Sequence, residues 1–377
     1  MSIVIDDKKI IDINISNKNV QKIVDILTDK IIFEKTKPVS NEYFYIENTY
    51  NGSNTISLKT TKGSGNITGS HATQLQYSKD KETWTTITLS GTNTIRMNSG
   101  ERVYFRNDSG SFNWYKKAKD RFCTQIKCSN NHKVGGNINS LLDYNNYNVA
   151  ITPYCFFQLF YENKYLTDAN ELIFSKTSLA SNCYSSMFDG CTSLTTAPTL
   201  PATTVADYCY YGMFQNCSSL TTAPKLPATT LASRCYDSMF GGCTSLTTAP
   251  ELPATTLAYE CYNGMFSSCT SLTTAPTLPA TTLESDCYRY MFYGCTSLTT
   301  APALPATTLV SDCYSSMFQN CTSLNNVTVY ADDISASNCT YNWLYDVAAT
   351  GTFRNLGSAK YPTGASGIPS GWTEVKN

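Results

Sequence analysis

Cys123, Cys128 and His132 follow one another at a C-x4-C-x3-H spacing, residue types and intervals that can hold zinc. No fourth ligand lies near them in the sequence, so two strand cysteines and a loop histidine are the favoured reading. His71 is the other imidazole of the chain, and neither histidine sits in a motif that supplies a nucleophile and an orienting carboxylate. Gly63, Ser64 and Gly65 read as a turn, because no helix start and no following Lys-Ser/Thr is placed to cradle a phosphate. Carboxylate pairs for glycosidase chemistry depend on a separation in space, and the sequence marks none out. No catalytic residue, metal ligand or cofactor is expected, and the chain reads as a non-enzyme.

The residues that do recur point to architecture. The chain has 377 residues, enough for two or three domains. Its formal charge of −1 argues against a duplex nucleic-acid binder, which needs a basic face to displace counterions from phosphates. Charged residues make up only 15%, while Tyr, Thr, Ser and Asn are abundant, and such hydroxyl- and amide-rich surfaces suit sugars and other proteins. Asp6, Asp7, Lys8 and Lys9 interrupt the apolar run that an export signal would need, and no stretch approaches the roughly 20 apolar residues of a membrane-spanning helix. A reducing cytosol and free thiols are therefore the expectation for the 16 cysteines.

Cys183, Cys209, Cys235, Cys261, Cys287, Cys313 and Cys339 recur every 26 residues, and Cys191, Cys217, Cys243, Cys269, Cys295 and Cys321 keep the same period. One unit, CYNGMFSSCTSLTTAPTLPATTLESD, runs from Cys261 to Asp286. A fixed period of this length means stacked units, because one unit cannot bury its own apolar face. Within the unit, Cys261, Met265 and Phe266 at i, i+4 and i+5 predict a helix of one to two turns facing a core. Ser or Asp just before the cysteine would cap it, and Gly190, Gly242 and Gly294 stand where a left-handed C-terminal residue is wanted. Ser-Leu-Thr-Thr-Ala then predicts a short strand ended by Pro276. Stacking would build ladders of Leu, of Met-Phe and of structural, unlinked Cys, with neighbours about 4.8 Å apart. The ladder Tyr184, Tyr210, Tyr236, Tyr262, Tyr288 and Tyr314 admits two readings, aromatic packing or a platform for sugar rings, and packing is favoured.

The unit CYxxMFxGCTSLTTAPxLPATTL, as in Cys235 to Leu257 or Cys287 to Leu309, resembles the BspA-like leucine-rich repeats of surface proteins of gut and oral bacteria and of their phages. The resemblance implies a curved solenoid with a short helix opposite a parallel sheet. Val134 to Leu142 (VGGNINSLL) and Ser366 to Val375 (SGIPSGWTEV) are similar to flanks of such proteins in phages of gut Bacteroidales.

The first coil is irregular: Cys155, Leu159, Phe160 and Leu166 keep the pattern while Asn163 replaces the second cysteine. In the last, Trp343, Leu344 and Val347 replace Met, Phe and Cys. Upstream, the runs TISLKTT, TQLQYSK, ETWTTITL, TIRMNS and RVYFRND predict strands of a small antiparallel sandwich. Nearer the start, apolar runs predict strands and a hairpin, with a helix over Lys18–Leu27 as the alternative. The fold expected is a mixed α/β repeat: an N-terminal all-β module followed by a leucine-rich-repeat solenoid of short helix plus short strand. Its parts would be an anchor at 1–37, a sandwich at 38–120, a connector at 121–154, the solenoid at 155–347 and a cap at 348–377.

Between near-identical units, variation concentrates just before the predicted helix and on its outer face. The large residues there are Tyr208, Tyr211, Arg234, Asp237, Tyr259, Glu260, Arg289, Tyr290 and Tyr293, with Asn263 and Asp286 beside them. Either this is a solvated face free to drift, or it is one exposed stripe rich in the Tyr and Arg of binding interfaces. The layout as a whole resembles a head or tail fibre of a tailed phage, a non-enzymatic virion protein. That resemblance implies attachment to other virion proteins through the N-terminal segment, a homo-oligomer with a trimer favoured, and binding of a host-surface protein or glycan. The alternative is a bacterial surface adhesin; nucleic-acid binding and membrane insertion are not expected.

Overall fold

The computed structural model describes residues 42–62, 73–89, 91–107 and 122–376, and the backbone of four strands within residues 2–34. Met1–Ser40 and Asn41–Asn377 form separate units. In the first, β1 (Ser2–Asp6) pairs antiparallel with β2 (Lys9–Asn14), and β3 (Lys22–Asp25) pairs antiparallel with β4 (Lys30–Glu34). The β-branched residues of β3 thus take the extended form, and not the helix weighed for Lys18–Leu27.

In the second unit the predicted strand runs become β6 to β10. The strands in order are β5 (Phe44–Asn48), β6 (Asn54–Lys62), β7 (Thr73–Ser78), β8 (Thr85–Leu89), β9 (Thr92–Met97), β10 (Arg102–Arg106), β11 (Phe122–Cys128), β12 (His132–Asn137) and β13 (Leu166–Ile173). They form a six-stranded sheet, β13-β12-β5-β10-β7-β8, and a three-stranded sheet, β11-β6-β9. All pairs are antiparallel except β12 with β13. Alternation along β10, with Val103 and Phe105 buried and their neighbours half-buried, turns one face of the large sheet to the core. Gly136 must be glycine: its φ is +74° and a Cβ there would come within 2.1 Å of the Tyr43 carbonyl oxygen.

The expected mixed α/β architecture is overturned. The chain is nearly all β, its regular elements are strands gathered into sheets, and among the described residues the helical element is a four-residue 3-10 turn, Ile138–Leu141. The solenoid coil of short helix plus short strand is absent. Backbone hydrogen bonding gives the reason. In the repeat from Ala258 to Cys269, alternate residues bond three back: Cys261 to Ala258, Asn263 to Glu260, Met265 to Tyr262, Ser267 to Gly264 and Cys269 to Phe266. The residues between them donate to the next repeat: Glu260 to Ser285, Tyr262 to Cys287, Gly264 to Arg289, Phe266 to Met291 and Ser268 to Tyr293. A helix would satisfy all these N–H groups internally. Here every fourth residue instead takes a left-handed conformation, as at Glu260 (φ 51°), Gly264 (φ 58°) and Ser268 (φ 61°), and a chain of tight turns results. The segment expected as a strand is likewise reduced to single bridges between repeats, such as Thr196 to Thr222 and Thr248 to Thr274.

Each repeat is therefore one turn-rich layer laid on the next. Successive layers stack Tyr236 on Tyr262 at 5.8 Å and 11°, and Phe240 on Phe266 at 5.8 Å and 5°. Tyr184 to Tyr314 are buried throughout, so the tyrosine ladder packs the core and offers no platform. The second cysteine of each layer donates its thiol to the phenylalanine carbonyl of the layer before, as Cys269 Sγ to Phe240 O at 3.1 Å. All fifteen cysteines whose side chains are described are free and buried. At the front the ladder ends on Phe156, stacked on Tyr184 at 5.7 Å and 2°. At the back Trp343 stacks on Tyr314 at 6.3 Å, meets Tyr361 at 5.6 Å and donates its indole N–H to the Gly367 carbonyl. A parallel sheet of β14 (Asn326–Val329), β15 (Gly351–Asn355) and β16 (Trp372–Lys376) closes this end.

Candidate ligand-binding face

The variable positions fall on the turn-rich side of four consecutive layers, 26 residues apart: Tyr208, Arg234, Glu260 and Asp286 in one row, Tyr211, Asp237, Asn263 and Arg289 in the next. Five of the nine residues singled out, Tyr211, Arg234, Asp237, Glu260 and Tyr290, line one depression of about 490 Å³. The other four adjoin it. Tyr208 and Tyr259 each place a ring 5.6 Å from the Arg234 guanidinium carbon, Arg289 lies 5.0 Å above the Tyr290 ring, and Tyr293 meets Tyr290 edge-on at 5.9 Å. Tyr293 also accepts a hydrogen bond from Asn320 Nδ2 at 3.0 Å, and Arg289 pairs with Asp286 at 3.0 Å.

The face is not the uniformly exposed stripe expected. Tyr259 is exposed, Asp237 and Glu260 are buried, and the remaining six are half-buried. Arg234 forms an ion pair with Glu260, and Asp237 Oδ1 accepts from the Ser238 hydroxyl at 2.8 Å. Burial pushes the Asp237 carboxyl up to about 6; the Ser238 hydroxyl and Arg234 oppose this, and Glu260 adds to it. The result is a carboxylate with unfilled acceptor capacity beside a guanidinium whose Nε is buried without a partner. Such a pair can grip hydroxyls, amides or amines.

The lining also includes Gln215, Asn216, Ser238, Gly241, Gly242, Gly264, Ser267 and Ser268, none of which is among the large variable residues. Their signal is in the sequence nonetheless. At three matching positions two adjacent layers carry small residues, Ser238, Gly241 and Gly242 in one and Gly264, Ser267 and Ser268 in the next. The flanking layers carry Tyr211 and Gln215 on one side and Tyr290 and Tyr293 on the other. The depression is thus a notch two layers wide.

His132 is no loop residue: it opens β12 and is fully buried. Its Nδ1 lies 3.0 Å from the Asn130 carbonyl and its Nε2 3.0 Å from Asn163 Nδ2, so both ring nitrogens are engaged. Burial lowers its pKa to about 4, against the smaller opposing effect of Asn130. Burial likewise pushes the Cys128 thiol up. Among the described residues no group of three or more His, Cys, Asp or Glu gathers as a metal site. Cys123 is placed by its backbone in β11, opposite Thr61. His71, Gly63, Ser64 and Gly65 lie outside the described residues.

A profile of the BspA-type leucine-rich repeat region matches in six copies, over residues 151–275 and 185–343. Together these stretches cover just over half of the 377 residues. Comparison with curated proteins and with solved structures returns no match.

Proposed function

The chain belongs to the BspA-type leucine-rich repeat family, and from that premise we propose that it is a non-enzymatic adhesive protein whose notched face grips a ligand on a host-cell surface. The family supports a protein-binding or surface-adhesive role. The observation that carries the reading to this face is that its large residues hold their places at a cost in stability. Tyr208 (φ 57°), Arg234 (φ 52°), Glu260 (φ 51°) and Tyr290 (φ 55°) all occupy left-handed positions. At equivalent positions other layers use Asn182, Gly212 or Gly264, which take that conformation far more cheaply. Each bulky residue there costs about 1–2 kcal/mol, and the buried charges of Asp237 and Glu260 add to it. A repeat selected for stability alone would carry none of these.

The setting we propose is a head or tail fibre of a tailed phage, assembled as a homotrimer and attached to other virion proteins through residues 1–37. The flanks VGGNINSLL and SGIPSGWTEV support the phage setting by their resemblance. The paired strands β1 to β4 are short and offer edges for pairing with a partner or with sister chains.

Changing Tyr211, Arg234, Tyr259 and Arg289 together to Ala tests the face. The variant should stay folded, losing some stability because the buried Glu260 carboxyl loses its cation, while binding of the labelled protein to gut Bacteroidales cells falls at least tenfold; unchanged binding by a folded variant would eliminate the face. Deleting residues 1–37 tests the setting. The shortened protein should fold but be missing from purified particles, and normal incorporation would refute the attachment.

A further inference from the structure

We infer that the notch takes the end of a neutral glycan, two neighbouring hydroxyls of one sugar being held by the Asp237 carboxylate while sugar rings lie against Tyr211 and Tyr290. The inference rests on the binding role proposed for this face and specifies the class of ligand.

Size is the first support. At about 490 Å³ the notch is large enough for a small ligand, the usual range being roughly 300–1,000 Å³. Its opening spans the two small-residue layers, so a ring can reach the floor while the tyrosines of the flanking layers stay at its sides. Charge is the second. The lining carries Asp237 and Glu260 against the single cation Arg234, which Glu260 already engages. A sialylated, sulfated or uronic sugar would bring a further negative charge against a lining that is already net negative, a cost that low-dielectric burial enlarges.

Hydrogen-bonding capacity is the third. A carboxylate is an acceptor with about four lone-pair sites, and among the described residues the one side chain hydrogen-bonded to Asp237 is Ser238, whose hydroxyl donates to Oδ1. Hydroxyls on adjacent carbons match two acceptor oxygens on one carbon, and Asn263 and Ser267 in the lining can serve the remaining hydroxyls. The groups facing Asp237 are Arg234 and the Ser238 hydroxyl, which favour its ionised form, and Glu260, which opposes it, with Tyr211 in the same field. The acceptor is therefore half charged at about pH 6 and becomes fully charged only as the pH rises well beyond it.

The test uses the full chain, fluorescently labelled, on gut Bacteroidales cells. Cells are left untreated or are treated with mild periodate, which cleaves the bond between carbons bearing neighbouring hydroxyls, with a protease, or with a sialidase. Periodate should reduce binding at least tenfold, and protease and sialidase should leave it in place. Asp237→Asn and Ser267→Trp, the second filling the notch without touching the charges, should each reduce binding at least tenfold while unfolding at or above the parent temperature at pH 7. Binding that survives periodate, or that is lost to protease or sialidase, overturns the glycan inference. The binding role of the face still stands in that case, provided the quadruple alanine variant has lost binding. A parent chain that binds no cells overturns both.

Discussion

The side-chain amide of Asn163 donates to the backbone carbonyl of Ile126 at 3.1 Å, and so carries the thiol ladder of the repeats into the front sheets. Asn163 stands where later layers place the second cysteine, whose Sγ donates to a carbonyl in the layer before. Here the preceding layer is β11, and the other amide hydrogen goes to His132 Nε2. A cysteine has one donor and would leave one of the two acceptors unpaired.

Asn163→Ala should therefore destabilise the protein by about 1–3 kcal/mol, the cost of a buried acceptor left without its donor. The pH dependence has a definite sign. His132 is held near 4, below its ordinary 6.5, because burial disfavours the cation, against the smaller opposing effect of the Asn130 carbonyl. Its stability contribution is full above about 6.5 and is lost as pH falls towards 4, by up to about 3 kcal/mol. Urea unfolding at pH 7 and pH 4.5 measures it, and a His132→Gln variant should show a shallower fall.

Asp237 should give the opposite slope. Its carboxyl is raised to about 6, so its neutral form stabilises the fold at low pH, and that contribution is lost as pH rises from about 4 through 6. Asp237→Asn should raise stability at pH 8 by about 2–3 kcal/mol and change little at pH 4. A variant no more stable than the parent at pH 8 would mean that the carboxylate carries no desolvation cost.

The left-handed positions predict which small changes help. Ser268 has φ 61° where Gly190, Gly242 and Gly294 occupy the equivalent place, so Ser268→Gly should gain about 1 kcal/mol. Gly190→Ala should lose about 1–2 kcal/mol, because φ is +75° and the new Cβ would lie 3.1 Å from Glu162 Cγ. Thermal unfolding of the two variants should bracket the parent.

The thiols should be silent until the protein opens. Burial raises the cysteine pKa values throughout the repeats, so the reactive thiolate is suppressed as well as shielded. Iodoacetamide at pH 8 should leave the fifteen buried cysteines unmodified in the folded chain and alkylate them in urea without reductant. Regular Cys–Cys links found by mass mapping would contradict the free-thiol ladder.

Much of this was legible in the sequence, and the misreading has a physical cause. The 26-residue period, the ladders and the front strands follow directly from spacing and alternation. The helix does not form because Cys261, Met265 and Cys269 recur every four residues while a helix repeats every 3.6. Over one or two turns the two periods place side chains almost alike, and only the Gly, Asn, Asp and Ser recurring at fourth positions separates them. Asn182, Ser186 and Gly190 are such a set, each of them left-handed. The large residues of the notch were readable as departures from the repeat. Its floor was not, because glycine and serine in a polar repeat look like filler until the layers on either side are seen to rise above them.

The turn-rich side also has an electrical direction. Its backbone bonds between layers run one way, from an N–H in one repeat to a carbonyl in the next, as from Phe188 to Met213 and from Phe214 to Met239. Aligned peptide dipoles sum, so this side carries partial positive charge towards its C-terminal end and partial negative charge towards its N-terminal end. The two ends consequently ask for opposite chemistry. At the front, Ile126 N–H donates to the Leu159 carbonyl and His132 N–H to the Tyr165 carbonyl. At the back, the Ala365 carbonyl and the Ser366 hydroxyl accept from Leu344 and Asn342. Neither terminus could serve in the other's place, and repeats could be added or removed between them without disturbing either.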